Sequence, residues 1–394
     1  MTKSSELNKK KPIRPLAFAF YFWPVVCLTV VGLLDSIYLS ISHYQVYTDI
    51  GYKSFCAISR AINCDTVSQS PYSIFLSLPV PVWGIIGYTL LLLFLLPAAS
   101  KRTEKKRIWS LIFWLSLAFS GSSVVLALIS IYLIGSYCIV CIVSYSVNFA
   151  LLFYAWIIQR RFSKAGLFSD TREDIRFLWK HRAKMGLTAA IFLAAVVTTW
   201  IVFPVYWHFQ PPPVSADIPR GITALGHPWI GAHKPVLVID EYSDYQCFQC
   251  KKMHLFLRRL VAENPDRIRI VHRNYPMDHH FNPIVKNQFH SGSGKMALLA
   301  VYAVSKNKFW ELNDMFYSIA GQKKRIGIKE LAQTLGLKPE ELARSLYDRS
   351  IHDQLQRDIR EGNKLGISGT PGYVINGTVY LGQIPADILK AGIR

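Results

Sequence analysis

Charged side chains are scarce in this 394-residue sequence, since Asp, Glu, Lys and Arg make up 18% of it and hydrophobic residues 51%. A chain of this length has room for two or three domains. The composition is typical of a membrane protein with a soluble part. Acidic residues are the scarcer sign, because 25 Asp/Glu oppose 45 Lys/Arg. The net charge of +20 would ordinarily suggest nucleic-acid binding. The basic residues cluster between apolar runs, however, so we expect no nucleic-acid partner.

Two further absences bear on function. No second Cys/His pair follows the Cys-x-x-Cys motifs at zinc-ribbon or zinc-finger spacing, so we expect no metal site. The first apolar run has no small-x-small cleavage site and is too long for the core of a signal peptide. It is therefore predicted to remain in the chain as a first transmembrane helix.

Five apolar runs are long enough to cross a ~30 Å hydrocarbon core as helices. They cover approximately residues 16–42, 72–98, 108–134, 137–158 and 186–207. Of the 20 Lys/Arg before residue 215, 18 lie in the N-terminal tail, between the second and third runs, or between the fourth and fifth. The positive-inside rule therefore predicts a cytoplasmic N-terminus, with everything after residue 207 on the opposite side.

Six of the seven cysteines form close pairs in the sequence, namely Cys56/Cys64, Cys138/Cys141 and Cys247/Cys250. Under the predicted topology, all three pairs lie on the extracytoplasmic, oxidising face. A Cys-x-x-Cys pair can interconvert between disulfide and dithiol with little backbone movement, and so it can carry two electrons. The pattern favours a membrane redox centre at the pair that opens the fourth apolar run, with the other two pairs as candidate relays.

The first apolar run also contains Cys27 and Asp35. We expect Cys27 to be a plain buried residue, as free cysteines commonly are. A carboxylate inside the membrane is a functional candidate by default. The alternative is that Asp35 lies near the outer end of the helix and is capped by its neighbours.

The C-terminal part has an α/β layout. A Pro-rich spacer at residues 211–213 precedes it. Strands are predicted at residues 235–242 and 267–273, followed by a mostly helical block at residues 282–364. Residues 373–380 read as a hairpin about Asn376-Gly377. The clustered Lys/Arg at residues 323–325 are predicted to be a solvated face.

Cys247 and Cys250 follow a predicted strand and open a helix. The N–H groups and dipole at a helix N-terminus stabilise a thiolate, so Cys247 is predicted to be the exposed nucleophile and Cys250 the resolving thiol. Here the sequence resembles the thioredoxin-fold, DsbA-like proteins over about residues 225–394. The motifs that carry this resemblance are YSDYQCFQC (242–250), RNYP (273–276) and GISGTP (366–371).

That resemblance implies that Pro371 is a cis-proline beside the disulfide and that Thr370 offers backbone hydrogen bonds to a bound substrate chain. Glu241 matches the family's buried acid, which would accept or relay a proton. Its alternative interpretation is an ordinary carboxylate at the end of a strand. Phe248-Gln249 differs from the dipeptides usual between the two cysteines, so the resemblance does not fix the redox potential.

Residues 16–158 resemble the vitamin K epoxide reductase family. The matching features are Cys56-x7-Cys64, Ser70, PVPVWG (79–84), Cys138-x-x-Cys141 and Tyr145. The resemblance implies four helices around a quinone, with Cys141 next to the quinone and Ser70 and Tyr145 lining its site. Cys138 would exchange with Cys64, and Cys56 would meet the thioredoxin-like partner. Animal members have a pocket Asn that residues 72–75 lack, which favours plain quinone reduction over epoxide reduction.

The predicted fold class is a membrane all-α bundle of four helices, a fifth linking helix, and a soluble α/β thioredoxin-fold domain with a helical insertion. The predicted domains are a cytoplasmic tail (1–15), the four-helix membrane domain (16–158), a cytoplasmic basic loop (159–185), the fifth helix (186–207), a linker (208–224) and the DsbA-like domain (225–394).

The predicted function is formation of disulfide bonds in exported proteins at the bacterial cytoplasmic membrane, in contact with the lipid bilayer. Electrons would pass to a quinone of the ubiquinone or menaquinone type. Two alternatives remain open: a thiol-driven reductase of quinone or quinone epoxide, and a membrane-tethered disulfide isomerase or chaperone.

Overall fold

The structure is a computed structural model that describes residues 17–49, 51–58, 62–99, 108–162, 166–207, 218–319 and 327–393. The predicted tail at 1–15, the basic turn at 101–107, the spacer at 211–213 and the basic cluster at 323–325 lie outside the described residues. The chain divides into two units. One comprises Met1–Gln45 and Lys53–Pro204, and the other comprises Val46–Tyr52 and Val205–Arg394.

Helices dominate the first unit. They are α1 (Ala19–Thr48, which ends in the segment grouped with the second unit), α2 (Cys64–Ser68), α3 (Val80–Ala98), α4 (Trp109–Ile129, continued by a π-helical turn at Ser130–Ile134), α5 (Ile139–Phe162), α6 (Leu167–Lys180) and α7 (Arg182–Val202). Strands β1 (Ile74–Phe75) and β2 (Leu78–Pro79) form a short antiparallel pair. Helices α1, α3, α5, α4 with its π turn, and α7 from Met185 are long and apolar enough to cross a membrane. The prediction of an apolar helical N-terminal part is confirmed.

Small residues let helices α1 and α3 approach each other closely. A Cβ atom at Gly32 would meet the ring of Tyr88, and one at Gly84 would meet the side chain of Ser36. In lipid, the hydrophobic effect does not drive helices together, so close packing of this kind stabilises their association instead. The core that results is aromatic and aliphatic, with Trp109 and Leu151 almost fully buried.

The loop predicted at residues 159–185 contains helix α6, and helix α5 extends into it as far as Phe162. Asp174 on α6 is buried and accepts hydrogen bonds from the backbone N–H groups of Ile108 (2.7 Å) and Ser110 (3.1 Å) and from the Ser110 hydroxyl (2.6 Å). It therefore satisfies free N–H groups at the N-terminus of α4. The sequence prediction missed α6 because the many Lys/Arg of residues 159–185 were interpreted only as a cytoplasmic loop between two membrane-spanning helices.

The second unit is a six-stranded sheet covered by helices. The strands are β3 (Arg220–Ile222), β4 (Pro228–Gly231), β5 (Leu237–Ser243), β6 (Ile268–Asn274), β7 (Gly372–Ile375) and β8 (Thr378–Leu381). Their order is β3-β4-β6-β5-β7-β8, in which β5 and β6 are parallel and the other neighbours antiparallel. The helices are α8 (Phe248–Glu263), α9 (Ser293–Ser305), α10 (Phe309–Ile319), α11 (Ile328–Leu335), α12 (Pro339–Ser345), α13 (Arg349–Lys364) and α14 (Ala386–Ile393).

The α/β layout predicted for this unit is confirmed, including the hairpin. Asn376 and Gly377 have φ values of 48° and 78°, as a tight turn between twisted strands requires. The linker predicted at 208–224 was wrong at its end, since it contains β3. Strands β3 and β4 have three and four residues. Runs this short show no period in the sequence.

Candidate functional site

Cys247 lies where strand β5 has ended and helix α8 begins. It caps the helix, because its Sγ accepts a hydrogen bond from the backbone N–H of Cys250 at 3.3 Å. The same Sγ lies 3.5 Å from the carbonyl oxygen of Thr370, and the Thr370–Pro371 peptide is cis. The prediction that Cys247 is exposed was wrong: 9% of it is exposed and Cys250 is fully buried. The chain segment at Thr370 covers the sulfur.

The two thiols of this pair differ in acidity. A hydrogen bond from the Cys250 side chain, helped by the charge of His290, lowers the pKa of Cys247 to about 7 against the opposing effect of burial. Burial, together with the neighbouring Cys247, raises the pKa of Cys250 well above its usual value. Cys247 is therefore suited to attack as a thiolate, and Cys250 holds its proton until a base takes it.

Glu241 on strand β5 is fully buried. Its Oε2 lies 2.6 Å from Nδ1 of His254 and 3.5 Å from Nδ1 of His272. Burial alone would raise the pKa of Glu241, but the two imidazoles outweigh it and lower the pKa to about 2. The carboxyl group is therefore not an ordinary one at a strand end, because water does not reach it.

Sequence reasoning missed His254, His272 and Asn313, which surround this acid. His254 comes four residues after Cys250 and therefore lies on the same face of helix α8. A histidine in that position is the signal that was available. His272 and Asn313 come from β6 and α10, and no local spacing relates them to Glu241.

The four paired cysteines of the first unit gather in one cluster. Disulfides join Cys56 to Cys64 and Cys138 to Cys141, and the four sulfurs share a hydrophobic cluster with Val140. Backbone pairing brings the two pairs together. Asn63 N–H donates to the carbonyl of Tyr137 at 2.9 Å, and Ile62 forms a parallel bridge with Tyr137. The residues directly before Cys64 and Cys138 are therefore neighbours.

A groove beside this cluster has a volume of about 440 Å³. Its walls include Val31, Leu34, Asp35, Tyr38, Ile139 and Val143. Asp35 accepts a short hydrogen bond from the hydroxyl of Ser144. It is thus bonded to a helix neighbour at a groove whose other walls are almost entirely apolar.

The two residues predicted to line a quinone site lie elsewhere. Ser70 donates to the carbonyl of Val67 at 2.8 Å and so closes the end of helix α2. Tyr145 is half-buried, one turn after Cys141. Neither is among the residues that line the groove at Asp35. Their assignment to a quinone site stays a prediction.

The expectation of a buried Cys27 was wrong, since it is exposed on helix α1. In a helix that spans a membrane, the outer face of a bundle contacts lipid, and an apolar thiol is compatible with that surface. Cys27 is also apart from the cluster of paired cysteines.

A buried polar chain crosses the first unit at mid-helix. The hydroxyl of Tyr88 donates to Oδ1 of Asn148 at 2.6 Å, and Nδ2 of Asn148 donates to the hydroxyl of Ser123 at 2.9 Å. It links helices α3, α5 and α4. An amide inside an apolar run was the signal for it, because polar groups within a membrane require partners. Sequence reasoning did not use that signal.

The family comparisons agree with both halves of this architecture. Residues 23–156 match the model of the vitamin K epoxide reductase family, and residues 223–394 match a thioredoxin model. The chain therefore carries a vitamin K epoxide reductase family domain followed by a thioredoxin-like domain. Both resemblances inferred from the motifs are confirmed.

Curated relatives are similar to only part of this chain. The Na(+)/H(+) antiporter NhaA 3 of Salinispora tropica is 23% identical over 221 residues, which is 54% of this chain and 32% of the antiporter. The Na(+)/H(+) antiporter NhaA 1 of Salinispora arenicola is 24% identical over 221 residues, which is again 54% of this chain and 32% of the antiporter. The chain thus spans about a third of the length of these relatives.

Solved structures of thioredoxin-like proteins resemble part of this chain. A thioredoxin-like oxidoreductase from Silicibacter pomeroyi is 22% identical, with 42% of this chain and 90% of that chain covered and a TM-score of 0.36. Pseudomonas aeruginosa DsbA2 is 22% identical, with 42% and 91% covered and a TM-score of 0.34. The fold of the second unit is established by the family match and the strand order.

Proposed function

We propose that this protein is a membrane thiol–disulfide oxidoreductase that forms disulfide bonds in exported proteins. The observation that carries the proposal is the pairing of Asn63 with Tyr137, which sets one disulfide beside another within a vitamin K epoxide reductase family domain. A thioredoxin-like domain with a low-pKa thiol at a helix N-terminus follows in the same chain. Three redox pairs in one chain are more than a tethered isomerase or chaperone would need.

The proposed electron route begins at Cys247. One thiolate of a substrate attacks Cys247 and forms a mixed disulfide, which breaks the Cys247–Cys250 bond. A second thiolate of the substrate then attacks the mixed disulfide, so that the substrate leaves with a disulfide and Cys247 and Cys250 are left reduced. The reduced pair then passes two electrons to Cys56–Cys64, and Cys64 exchanges with Cys138. Each step breaks one S–S bond and forms another, so the sulfurs must touch. The backbone contact at Asn63 supports the Cys64–Cys138 step.

A quinone is the proposed final acceptor, with Cys141 as the thiol that would meet it. The family resemblance also assigns Ser70 and Tyr145 to the quinone site, although neither lines the groove at Asp35. The groove at Asp35 fits such a group, because its volume of about 440 Å³ lies in the range of small-molecule sites and its walls are mainly apolar. When bound, a quinone supplies a sink for two electrons and two protons. Asp35 would accept or hold a proton at the groove, and the Ser144 hydroxyl, which donates to its carboxylate, would orient it.

The proposed location is the bacterial cytoplasmic membrane, with the N-terminus inside and the thioredoxin-like domain outside. The placement of 18 of 20 early Lys/Arg supports this orientation. Thr370 would pair with the extended backbone of a substrate protein, since its carbonyl already lies 3.5 Å from the attacking sulfur. The partners are therefore exported proteins with reduced cysteines, the bilayer and a quinone of the ubiquinone or menaquinone type.

The test is thiol trapping of Cys247/Cys250 in cells that carry the parent protein, Cys141→Ala or Cys27→Ala. We expect a mainly oxidised pair in the parent and in Cys27→Ala, the matched control, and accumulation of the dithiol in Cys141→Ala. A pair that stays oxidised in Cys141→Ala would show that the membrane cysteines do not reoxidise the thioredoxin-like domain. The proposed route would then be wrong.

A second assay distinguishes oxidase from isomerase. The Cys138→Ala/Cys141→Ala double variant should no longer oxidise substrate thiols when quinone is added. It should still rearrange the disulfides of a scrambled substrate through Cys247. Full retention of net oxidation in the double variant would contradict the oxidase proposal.

A further inference from the structure

The last turn of helix α1 contains no basic residue of its own. The final carbonyl groups of a helix have no partner within it, and their partial negative charge attracts cations. Here the cation comes from helix α8. Nζ of Lys252 donates to the carbonyl of Val46 at 2.6 Å and also to the carbonyl of Asp49. Lys252 therefore caps the end of a helix that it follows by 206 positions in the chain.

The ammonium group of Lys252 is almost fully buried, since only 4% of the residue is exposed. Burial of an ammonium group is costly unless hydrogen bonds compensate for its lost hydration. The carbonyls of Val46 and Asp49 supply that compensation, and the dipole of α1 adds to it. The contact is thus specific for a cation, and it differs from the surface contacts that long basic side chains commonly make.

An aromatic contact joins the same two helices next to the redox pair. The ring of Tyr47 meets the ring of Phe248 edge-on, with centroids 4.9 Å apart and planes at 81°. Pairs in this geometry contribute more than the area that they bury. Phe248 is the first of the two residues between Cys247 and Cys250. One residue of the dipeptide that separates the redox cysteines therefore contacts the end of helix α1.

These contacts are internal to the second unit, because Val46–Tyr52 is grouped with it. We call Val46–Tyr52 the docking segment. Cys56 follows four positions after Tyr52, and it is the cysteine that the proposed route assigns to exchange with Cys247. Lys252 and Phe248 thus hold the residues that lead into the relay loop.

We propose that helix α8 recognises the docking segment through Lys252 and Phe248, and that this recognition favours exchange of Cys247 with Cys56 over exchange with other disulfides. The inference rests on the proposed electron route and adds the residues that direct it. Exchange requires contact between sulfurs, so it depends on the local concentration of the partner. Holding the segment before Cys56 raises that concentration. Lys252 and Phe248 are positioning residues, because neither takes part in the exchange itself.

The test measures the effective concentration of Cys56 at Cys247 in the full-length protein in detergent. The other paired cysteines are replaced, namely by Cys64→Ser, Cys138→Ala, Cys141→Ala and Cys250→Ser. Glutathione disulfide first converts Cys247 to a mixed disulfide and releases one glutathione. Attack by Cys56 then forms the Cys56–Cys247 bond and releases the second glutathione. The ratio of these two protein species at a fixed glutathione concentration, measured after acid quenching, reports the docking.

The variants separate charge and ring from the rest of the helix. Lys252→Met removes the cation but keeps a long side chain, and the ratio should fall about tenfold, as expected for loss of hydrogen bonds from a charged donor. Lys252→Arg keeps a charged donor and should retain most of the ratio. Phe248→Ala should lower it about threefold to tenfold. Gln249→Ala, the matched control, changes the other residue between the cysteines and should leave the ratio unchanged.

Hydrogen exchange gives a second readout that involves no sulfur chemistry. The amides of residues 46–52 should exchange faster in Lys252→Met than in the parent, because the end of helix α1 loses its cap and opens more often. Lys252→Arg and Gln249→Ala should match the parent.

An unchanged ratio in both Lys252→Met and Phe248→Ala would overturn the inference, even if hydrogen exchange became faster, because the contact would then be structural only. If Lys252→Met does not fold, Phe248→Ala decides, since it leaves the hydrogen bonds of Lys252 in place. A parent that forms no Cys56–Cys247 disulfide would instead refute the proposed electron route. A parent disulfide that is insensitive to both substitutions would refute the docking alone.

Discussion

The acidity of Cys247 depends first on Cys250, so it can be changed by one side chain. Cys250→Ser keeps a hydroxyl that can donate to the Cys247 sulfur, whereas Cys250→Ala removes the donor. The backbone N–H at residue 250, 3.3 Å from the sulfur, remains in both variants. The two variants therefore differ by the side-chain hydrogen bond that contributes most to the lowered pKa of Cys247.

The size of the effect follows from the ionised fraction. A pKa of about 7 instead of 9.0 makes Cys247 half thiolate at pH 7 rather than about 1%, a gain of about 50-fold. A weaker base is also a weaker nucleophile, and a Brønsted slope of about 0.4–0.5 takes back about eightfold over two units. The net gain in reactivity at pH 7 is then about sixfold.

The assay is the rate of iodoacetamide alkylation of Cys247 between pH 5 and pH 10 in the full-length protein, quantified on its peptide so that Cys27 does not interfere. Thiolate forms as pH rises through the pKa, so the rate should rise with a midpoint near 7 in Cys250→Ser. In Cys250→Ala we expect the midpoint about one unit higher. Equal midpoints in the two variants would refute the hydrogen-bond explanation and leave the helix terminus as the cause.

Three further predictions concern stability and are read from thermal unfolding in detergent. Gly377→Ala should lose about 1 kcal/mol, because its φ of 78° is unfavourable for a residue with a Cβ. Tyr88→Phe should lose about 1–3 kcal/mol, because it leaves Oδ1 of Asn148 buried without its donor. Asp174→Ala should lose about 2 kcal/mol, since three hydrogen bonds at the start of helix α4 go with it.

Matched variants serve as controls for these changes. Gly121→Ala, within helix α4, has space and no positive φ, so it should lose no stability and serves as the control for Gly377→Ala. Tyr132→Phe alters a tyrosine that is 78% exposed, and it should not reproduce the loss at Tyr88. Asp174→Asn keeps an acceptor oxygen and should fall between the parent and alanine. If a control variant loses as much stability as its test variant, the stated cause of that loss is wrong.

The sequence predicted well wherever one local pattern decides the structure. Apolar length identified the five long helices, and the Asn376-Gly377 dipeptide identified the hairpin, because both depend on neighbouring residues alone. The cysteine pairs were visible through their spacing. The cis peptide before Pro371 came from the resemblance and is present in the structure.

What the sequence did not reveal depends on contacts between distant segments. Helix α6 shows its role only through Asp174, which meets residues more than 60 positions earlier. The two histidines that contact Glu241 come from α8 and β6, and Asn313, which contacts His254, comes from α10. Exposure was also misjudged for Cys27 and Cys247, because the face of a helix that neighbours cover is set by packing. A pattern of residue types cannot supply that information.

The contact between Asn63 and Tyr137 is made by main-chain atoms. Every amino acid except proline offers the same N–H and carbonyl, so this docking does not depend on which side chains occupy the two positions. The loop that carries Cys56 and Cys64 can therefore change its sequence over evolutionary time without losing its alignment with Cys138. Asn63→Pro should disrupt it, because proline removes the donor. Loops exchanged between related proteins should work if the spacing to the second cysteine is kept.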